Sequence, residues 1–151
     1  MFVATNQGGI ALGFLTEEFL RNLHGELNAF VEAGGARVDG WFFCPHHPRA
    51  AIDALRSPCP CRKPGPGMVH QAMEQFDIDL SRSFVVGDTS KDMRMAEAVG
   101  ARAVLVRTGL GELQLARNAH EMPAEMHVTD TLAEATSWIL RESGHPLERP
   151  A

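Results

Sequence analysis

Phe84-Val85-Val86-Gly87-Asp88-Thr89-Ser90-Lys91-Asp92 is the stretch that decides the fold. An apolar run ending in glycine reads as a short buried strand, and the polar run after it reads as a turn into a helix capped by Ser90. Toward the C-terminus, Gly100 stops that helix, residues 103–106 form a second buried strand and residues 126–128 a short edge strand. Residues 131–141 form a last helix and residues 142–151 a frayed tail. Toward the N-terminus, a helix begins near Pro66 and runs to about Phe76, and residues 37–43 read as a strand. A helix capped by Thr16 runs to about Glu32, with Phe19, Leu20, Leu23, Leu27, Phe30 and Val31 on one side and Gly34-Gly35 as its stop. Residues 2–4 open the chain as a short apolar strand. Strands alternating with helices predict a doubly wound parallel α/β sheet.

The bulk numbers restrict the function. Apolar residues make up 44% of the 151 and charged residues 22%, as expected of a globular chain with a real core. A net charge of −5 with no basic run argues against nucleic acid or an anionic membrane as partner. No segment reaches the roughly 20 apolar residues that span a bilayer, and MFVATNQGG lacks the marks of a signal peptide. The expected compartment is therefore the cytoplasm, where clustered cysteines bind metal more often than they form disulfides.

Six prolines and all three cysteines fall within residues 44–66, which read as a loop with a turn or two of helix over residues 49–55. Cys44-x-His46, followed after twelve residues by Cys59-x-Cys61, offers three thiolates and an imidazole, a closed tetrahedral set for Zn²⁺. A structural zinc would order a loop that has little apolar content. Incidental free thiols are the alternative, a Cys59–Cys61 disulfide would be strained, and His47 competes with His46 as the imidazole. Cys61-Arg62-Lys63-Pro64 attaches two cations to the same loop. Lys63 suits a phosphoryl charge and Arg62 substrate oxygens or a second phosphate, unless both are ordinary solvated charges.

Two further segments follow strands. Asp88 at a strand's carboxyl end suits Mg²⁺, or else merely caps the next helix, and Asp92 fits a buttress better than a ligand. Thr5-Asn6-Gln7-Gly8-Gly9 combines a hydroxyl, amides and a glycine turn able to cradle phosphate, although an ordinary polar turn would look the same.

TNQGGIALG, CPHHP, CPCRKPGPGM, FVVGDTSKDMRMAEAVGA and VLVRTG, in this order, resemble the zinc-loop branch of the haloacid dehalogenase superfamily phosphatases. That branch holds heptose bisphosphate and histidinol-phosphate phosphatases. The resemblance covers residues 1–110 closely and the rest loosely. It implies a single haloacid dehalogenase-like Rossmannoid domain over residues 1–142, a zinc loop at 44–66 and a tail at 143–151. It further implies that Thr5 bonds the transferring phosphoryl group with Asn6, Gln7 and Gly8 beside the substrate, and that Arg62 recognises substrate while Lys63 stabilises phosphoryl charge. Cys44, His46, Cys59 and Cys61 would hold structural zinc, and Asp88 would bind Mg²⁺.

The activity so implied is hydrolysis of a small phosphorylated sugar, foremost D-glycero-D-manno-heptose 1,7-bisphosphate on the route to lipopolysaccharide heptose. Histidinol phosphate is one alternative, and a zinc-stabilised fragment that binds a phosphate ester or partner without turnover is another. Two positions depart from the branch's pattern: Thr89 stands where many members carry Lys, and Leu12 where they tend to carry Arg.

The larger departure is an absence. Members of the branch carry a D-x-D-G motif on a central strand before the TNQ segment, its first Asp the nucleophile and its second the general acid and base. No D-x-D-G occurs in the 151 residues; Asp77-Ile78-Asp79-Leu80 has the spacing but no strand before it, and Asp39-Gly40 has only half. The expectation is thus an N-terminally truncated fold lacking its first central strand, with an incomplete Mg²⁺ site and impaired turnover. It would be a monomer, with unpaired strand edges as the route to association.

Overall fold

The computed structural model describes residues 1–56 and 58–144 and divides into two compact units, residues 1–77 and 78–151. The residues 145–151 of the expected tail lie outside the described residues.

In the first unit, β1 (Phe2–Asn6) and β2 (Gly40–Cys44) pair in parallel through the crossover helix α1 (Glu17–Ala33), and α2 (Gly67–Met73) packs against both strands. The register sets Phe2 opposite Gly40 and Asn6 opposite Cys44. The two loops that leave the carboxyl ends therefore start side by side. Thr16 caps α1, its hydroxyl accepting from the Phe19 amide at 3.0 Å. The apolar stripe of α1 behaves differently from expectation: Leu20 and His24 are buried, whereas Phe19 is 57% and Phe30 79% exposed. Two strands about 4.8 Å apart make a floor wide enough only for the centre of such a stripe. β2 begins at Gly40 rather than at residue 37, because Arg37 pairs with Asp39 and the Asp39 amide bonds the Met1 carbonyl.

In the second unit, β3 (Phe84–Gly87), β4 (Arg102–Val106) and β5 (Met126–Thr129) form a parallel sheet in the order β3-β4-β5. Alternation along β4 sorts the core onto two faces. Ala103 and Leu105 pack with Met93 and Ala96 of α3 (Ser90–Val99). Val104 and Val106 pack with Ala135, Trp138 and Ile139 of α5 (Leu132–Glu142). Helices on both faces make the unit doubly wound, as the strand-helix alternation implies. Between β4 and β5 lies α4 (Gly111–Asn118), absent from the sequence reading. It is short, polar and entered through Gly109 and Gly111, so it looks like loop.

Among the described residues β1 pairs only with β2, and β3 only with β4. No helix among those residues is long and apolar enough to cross a membrane.

Candidate metal and phosphate sites

The first unit gathers its polar side chains where β1 and β2 end. Cys44 closes β2 and is fully buried, with Cys61 nearly so. The Cys44 Sγ lies 3.0 Å from that of Cys61 and 3.5 Å from that of Cys59, and Cys59 to Cys61 is 3.3 Å. His46 Nδ1 stands 3.4 Å from Cys61 Sγ and 3.7 Å from Cys44 Sγ, and all four ligand atoms fall within 4.8 Å of one another. These separations far exceed the S–S bond of about 2.05 Å. They approach the edge of about 3.8 Å of a tetrahedron built on Zn–S bonds of about 2.3 Å. Cys44, His46, Cys59 and Cys61 thus form a possible zinc site whose donor chemistry fits that ion.

The thiols show why a cation suits them. Burial, and then the neighbouring thiols, push Cys61 well above the ordinary thiol range. Burial likewise raises Cys44. At Cys59 burial acts upward too, but hydrogen bonds from Cys61 and from the Arg62 and Cys61 amides outweigh it and lower the thiol. Without a cation three thiolates cannot share this space; with one, they can. His47, the competing imidazole, stands outside the cluster and accepts the Arg49 amide at Nδ1, 3.1 Å away.

The β1 turn is tied to the metal loop by a reciprocal pair. Asn6 Oδ1 accepts from the Lys63 amide at 3.0 Å, and Asn6 Nδ2 donates to the Lys63 carbonyl at 3.3 Å. Lys63 Nζ donates to the Ala4 carbonyl at 2.8 Å, and Arg62 Nη1 donates to the His46 carbonyl at 2.8 Å. The Gln7 amide donates to the Cys44 carbonyl at 2.8 Å. Gln7 Nε2 donates to Thr5 Oγ1 at 3.1 Å, so the Thr5 hydroxyl retains its own proton for an acceptor. Thr5, Asn6, Gln7, Gly8, Arg62 and Lys63 are all half-buried. The unit therefore brings together every candidate residue that the sequence assigns to it. The side-chain amide of Asn6 is already engaged, which makes this residue a strut between two loops.

The second unit carries Asp88 just past the end of β3. Its Oδ2 accepts the Leu110 amide at 3.0 Å, and Gly109, at φ +65°, lies so close that a β-carbon there would stand 2.4 Å from that oxygen. The helix cap is Thr89, not Ser90. The Asp92 carboxylate accepts from the Thr89 amide at 3.1 Å and from its hydroxyl at 2.5 Å, a capping box. Asp92 thus buttresses the turn, and Asp88 is released from capping because threonine and the third helical residue close that end themselves.

Residues 60–135, about half of the chain, match the HAD-hydrolase-like family. A D-glycero-beta-D-manno-heptose-1,7-bisphosphate 7-phosphatase of Neisseria meningitidis serogroup A is 36% identical over 144 residues, covering 95% of this chain and 73% of that protein. The chain belongs to the HAD-like hydrolases. The enzyme of the same name from Rhodopseudomonas palustris is 42% identical over 100 residues, 66% of this chain and 56% of that one. The crystal structure of D,D-heptose 1,7-bisphosphate phosphatase from B. bronchiseptica, complexed with magnesium and phosphate, superposes with a TM-score of 0.80 at 33% identity. It covers 93% of this chain and 74% of that one.

In this HAD-like chain, sequence reasoning missed the Leu110 amide as partner of Asp88 and Gly109 as the residue that lets it approach. The signal was present in Val104-Leu105-Val106-Arg107-Thr108-Gly109, a strand running into glycine. A backbone donor, however, leaves no mark on residue type.

Proposed function

We propose that this chain binds D-glycero-β-D-manno-heptose 1,7-bisphosphate as a HAD-like phosphatase does, with hydrolysis impaired because these 151 residues hold no D-x-D-G motif, and that its residues 1–142 serve as one domain in a cytoplasmic biosynthetic route. The observation that carries the reading is the reciprocal Asn6–Lys63 pairing, which docks the Thr5–Gly8 turn onto the cationic end of the zinc loop. Relatives at 36–42% identity named for this substrate support it.

In this reading each residue has a defined task. Thr5, its oxygen accepting from Gln7, donates an O–H hydrogen bond to a phosphoryl oxygen. Lys63, anchored on the Ala4 carbonyl, balances phosphoryl charge, and Arg62, anchored on the His46 carbonyl, takes substrate oxygens. The Gly8 backbone lines the same turn. Cys44, His46, Cys59 and Cys61 hold zinc in a structural role, so that the two cations meet substrate without reorganising. Asp88 would hold Mg²⁺, which when bound polarises phosphoryl oxygens. The nucleophile and the acid-base carboxylate of the D-x-D-G motif have no counterpart in these 151 residues, so the attack on phosphorus is assigned to none of them.

Calorimetric titration of the zinc-loaded chain, with Mg²⁺ present, tests this reading. Tighter binding of the heptose bisphosphate than of histidinol phosphate, without measurable phosphate release, is expected. Equal or reversed preference would overturn it, and rapid release would overturn the assignment of the missing step.

A further inference from the structure

Thr5 stands on β1 opposite Phe43, one residue before the strand ends at Asn6. Its branched β-carbon restricts where the oxygen sits, but a strand backbone does not fix where the hydroxyl proton points. A hydroxyl carries one proton and two lone pairs, and it turns to suit its neighbours. Among the described residues its one hydrogen-bonding neighbour is Gln7, whose Nε2 donates to Thr5 Oγ1 at 3.1 Å. An N–H on that oxygen occupies a lone pair and repels the hydroxyl proton from its own direction. The O–H is thereby turned outward, to another acceptor.

Gln7 can set that direction because it is itself held. Its backbone amide donates to the Cys44 carbonyl at 2.8 Å, and its carbonyl accepts from the Ile10 amide at 3.1 Å. Cys44 closes β2 and is fully buried, so the anchor is a firm one. The side chain therefore leaves a fixed point and runs back two residues to Thr5. Asn6, its neighbour, spends its side-chain amide on Lys63 and ties two loops together. The two amides of the turn thus have separate tasks. A donor that already points at its acceptor costs no reorganisation when a phosphoryl group arrives.

We propose that Gln7 is a positioning residue that acts through Thr5, holding the hydroxyl so that its O–H is offered to the phosphoryl group. This rests on the phosphatase reading above and deepens it. Gln7 adds to phosphate affinity only while Thr5 carries a hydroxyl.

The test is a double-mutant cycle on the zinc-loaded chain with Mg²⁺ present, read by phosphorus NMR titration with inorganic phosphate. Gln7→Met keeps the length of the side chain and removes its donor; Thr5→Val keeps the branched shape and removes the hydroxyl. Gln7→Met should lose about fivefold in phosphate affinity, the size of one neutral hydrogen bond. Thr5→Val should lose at least as much, and adding Gln7→Met to it should change nothing further. Both single variants and the double variant should keep one zinc. Unchanged affinity in Gln7→Met would overturn the proposal. A Gln7→Met loss that persists in the Thr5→Val background would overturn it too, by making Gln7 a direct contact or a purely structural residue. Loss of zinc from Gln7→Met, or of all measurable binding from Thr5→Val, would do the same, since either gives the residue a part in building the turn. If wild type itself binds no phosphate, the phosphatase reading falls, and this inference with it.

Discussion

Substituting Gly109 by alanine tests how Asp88 is held, and the fold supplies its own control. Gly109 and Gly100 both have positive φ, +65° and +72°, and both lie in the second unit. At Gly100, the C-cap of α3, an added β-carbon meets nothing within 4 Å. Gly100→Ala therefore costs only left-handed backbone strain, about 1–2 kcal/mol, less the ~0.4–1 kcal/mol that alanine recovers by restricting the unfolded chain. At Gly109 the same methyl would stand 2.4 Å from Asp88 Oδ2, so the carboxylate must swing away and the Leu110 amide loses its acceptor. A hydrogen bond to a charged group adds about 1.5–3 kcal/mol. Gly109→Ala should thus destabilise by about 2–5 kcal/mol, well beyond Gly100→Ala, in urea titrations followed by far-ultraviolet circular dichroism. Asp88→Ala removes the obstacle, and in that background the two glycine variants should cost the same. Equal costs in the wild-type background, or a difference that survives Asp88→Ala, would refute the reasoning.

Three further outcomes follow from the structure. The purified chain should carry one zinc, measured by plasma mass spectrometry, and Cys61→Ser or strong chelation should abolish it while opening residues 44–66 to protease; a chain that keeps its protease resistance without zinc would contradict this. Asn6→Ala removes both side-chain bonds to Lys63, at about 0.5–1.5 kcal/mol each, and should weaken inorganic phosphate binding in calorimetry; unchanged binding would detach the strut from the phosphate turn. His24, stacked on Trp41 at 4.4 Å, has its pKa lowered first by burial and then by Arg21. The unfolded chain therefore takes up the proton at higher pH than the folded one, and the contribution of neutral His24 is complete above about pH 6.5 and declines as pH falls below it. His24→Phe should flatten that part of the melting-temperature profile, and an identical profile would show that other groups set it.

The sequence revealed the parts of the fold that depend on residue type. Valine and phenylalanine runs marked β3 and β4, Thr16, Gly34 and Gly100 marked helix ends, and the Cys-x-His and Cys-x-Cys spacing marked the zinc ligands. What it hid depends on geometry beyond one segment. Phe19 and Phe30 match the buried face of α1 in pattern, but how much of that face is covered depends on the width of the sheet beneath. Ser90 and Thr89 both qualify as caps by type, and only the reach of the Asp92 carboxylate chooses between them. His46 and His47 are equivalent as donors; the bond from the Arg49 amide to the His47 ring separates them.

The register of two strands shows what a metal at the Cys/His cluster would do for the fold. Pairing Asn6 with Cys44 launches two loops side by side from one short sheet. The two are tied by bonds in both directions: the Asn6 side chain and the Gln7 amide bond the Lys63 and Cys44 backbone, and Lys63 Nζ donates back to the Ala4 carbonyl. Such mutual bonds orient the loops only if one of them is rigid, and a proline-rich segment without a core is not rigid by itself. Closing Cys44, His46, Cys59 and Cys61 on one ion would supply that rigidity and carry Arg62 and Lys63 with it, since they directly follow the last of the four. In the proposed function such an ion would matter without touching substrate, because a cation already in place costs no reorganisation when phosphate arrives.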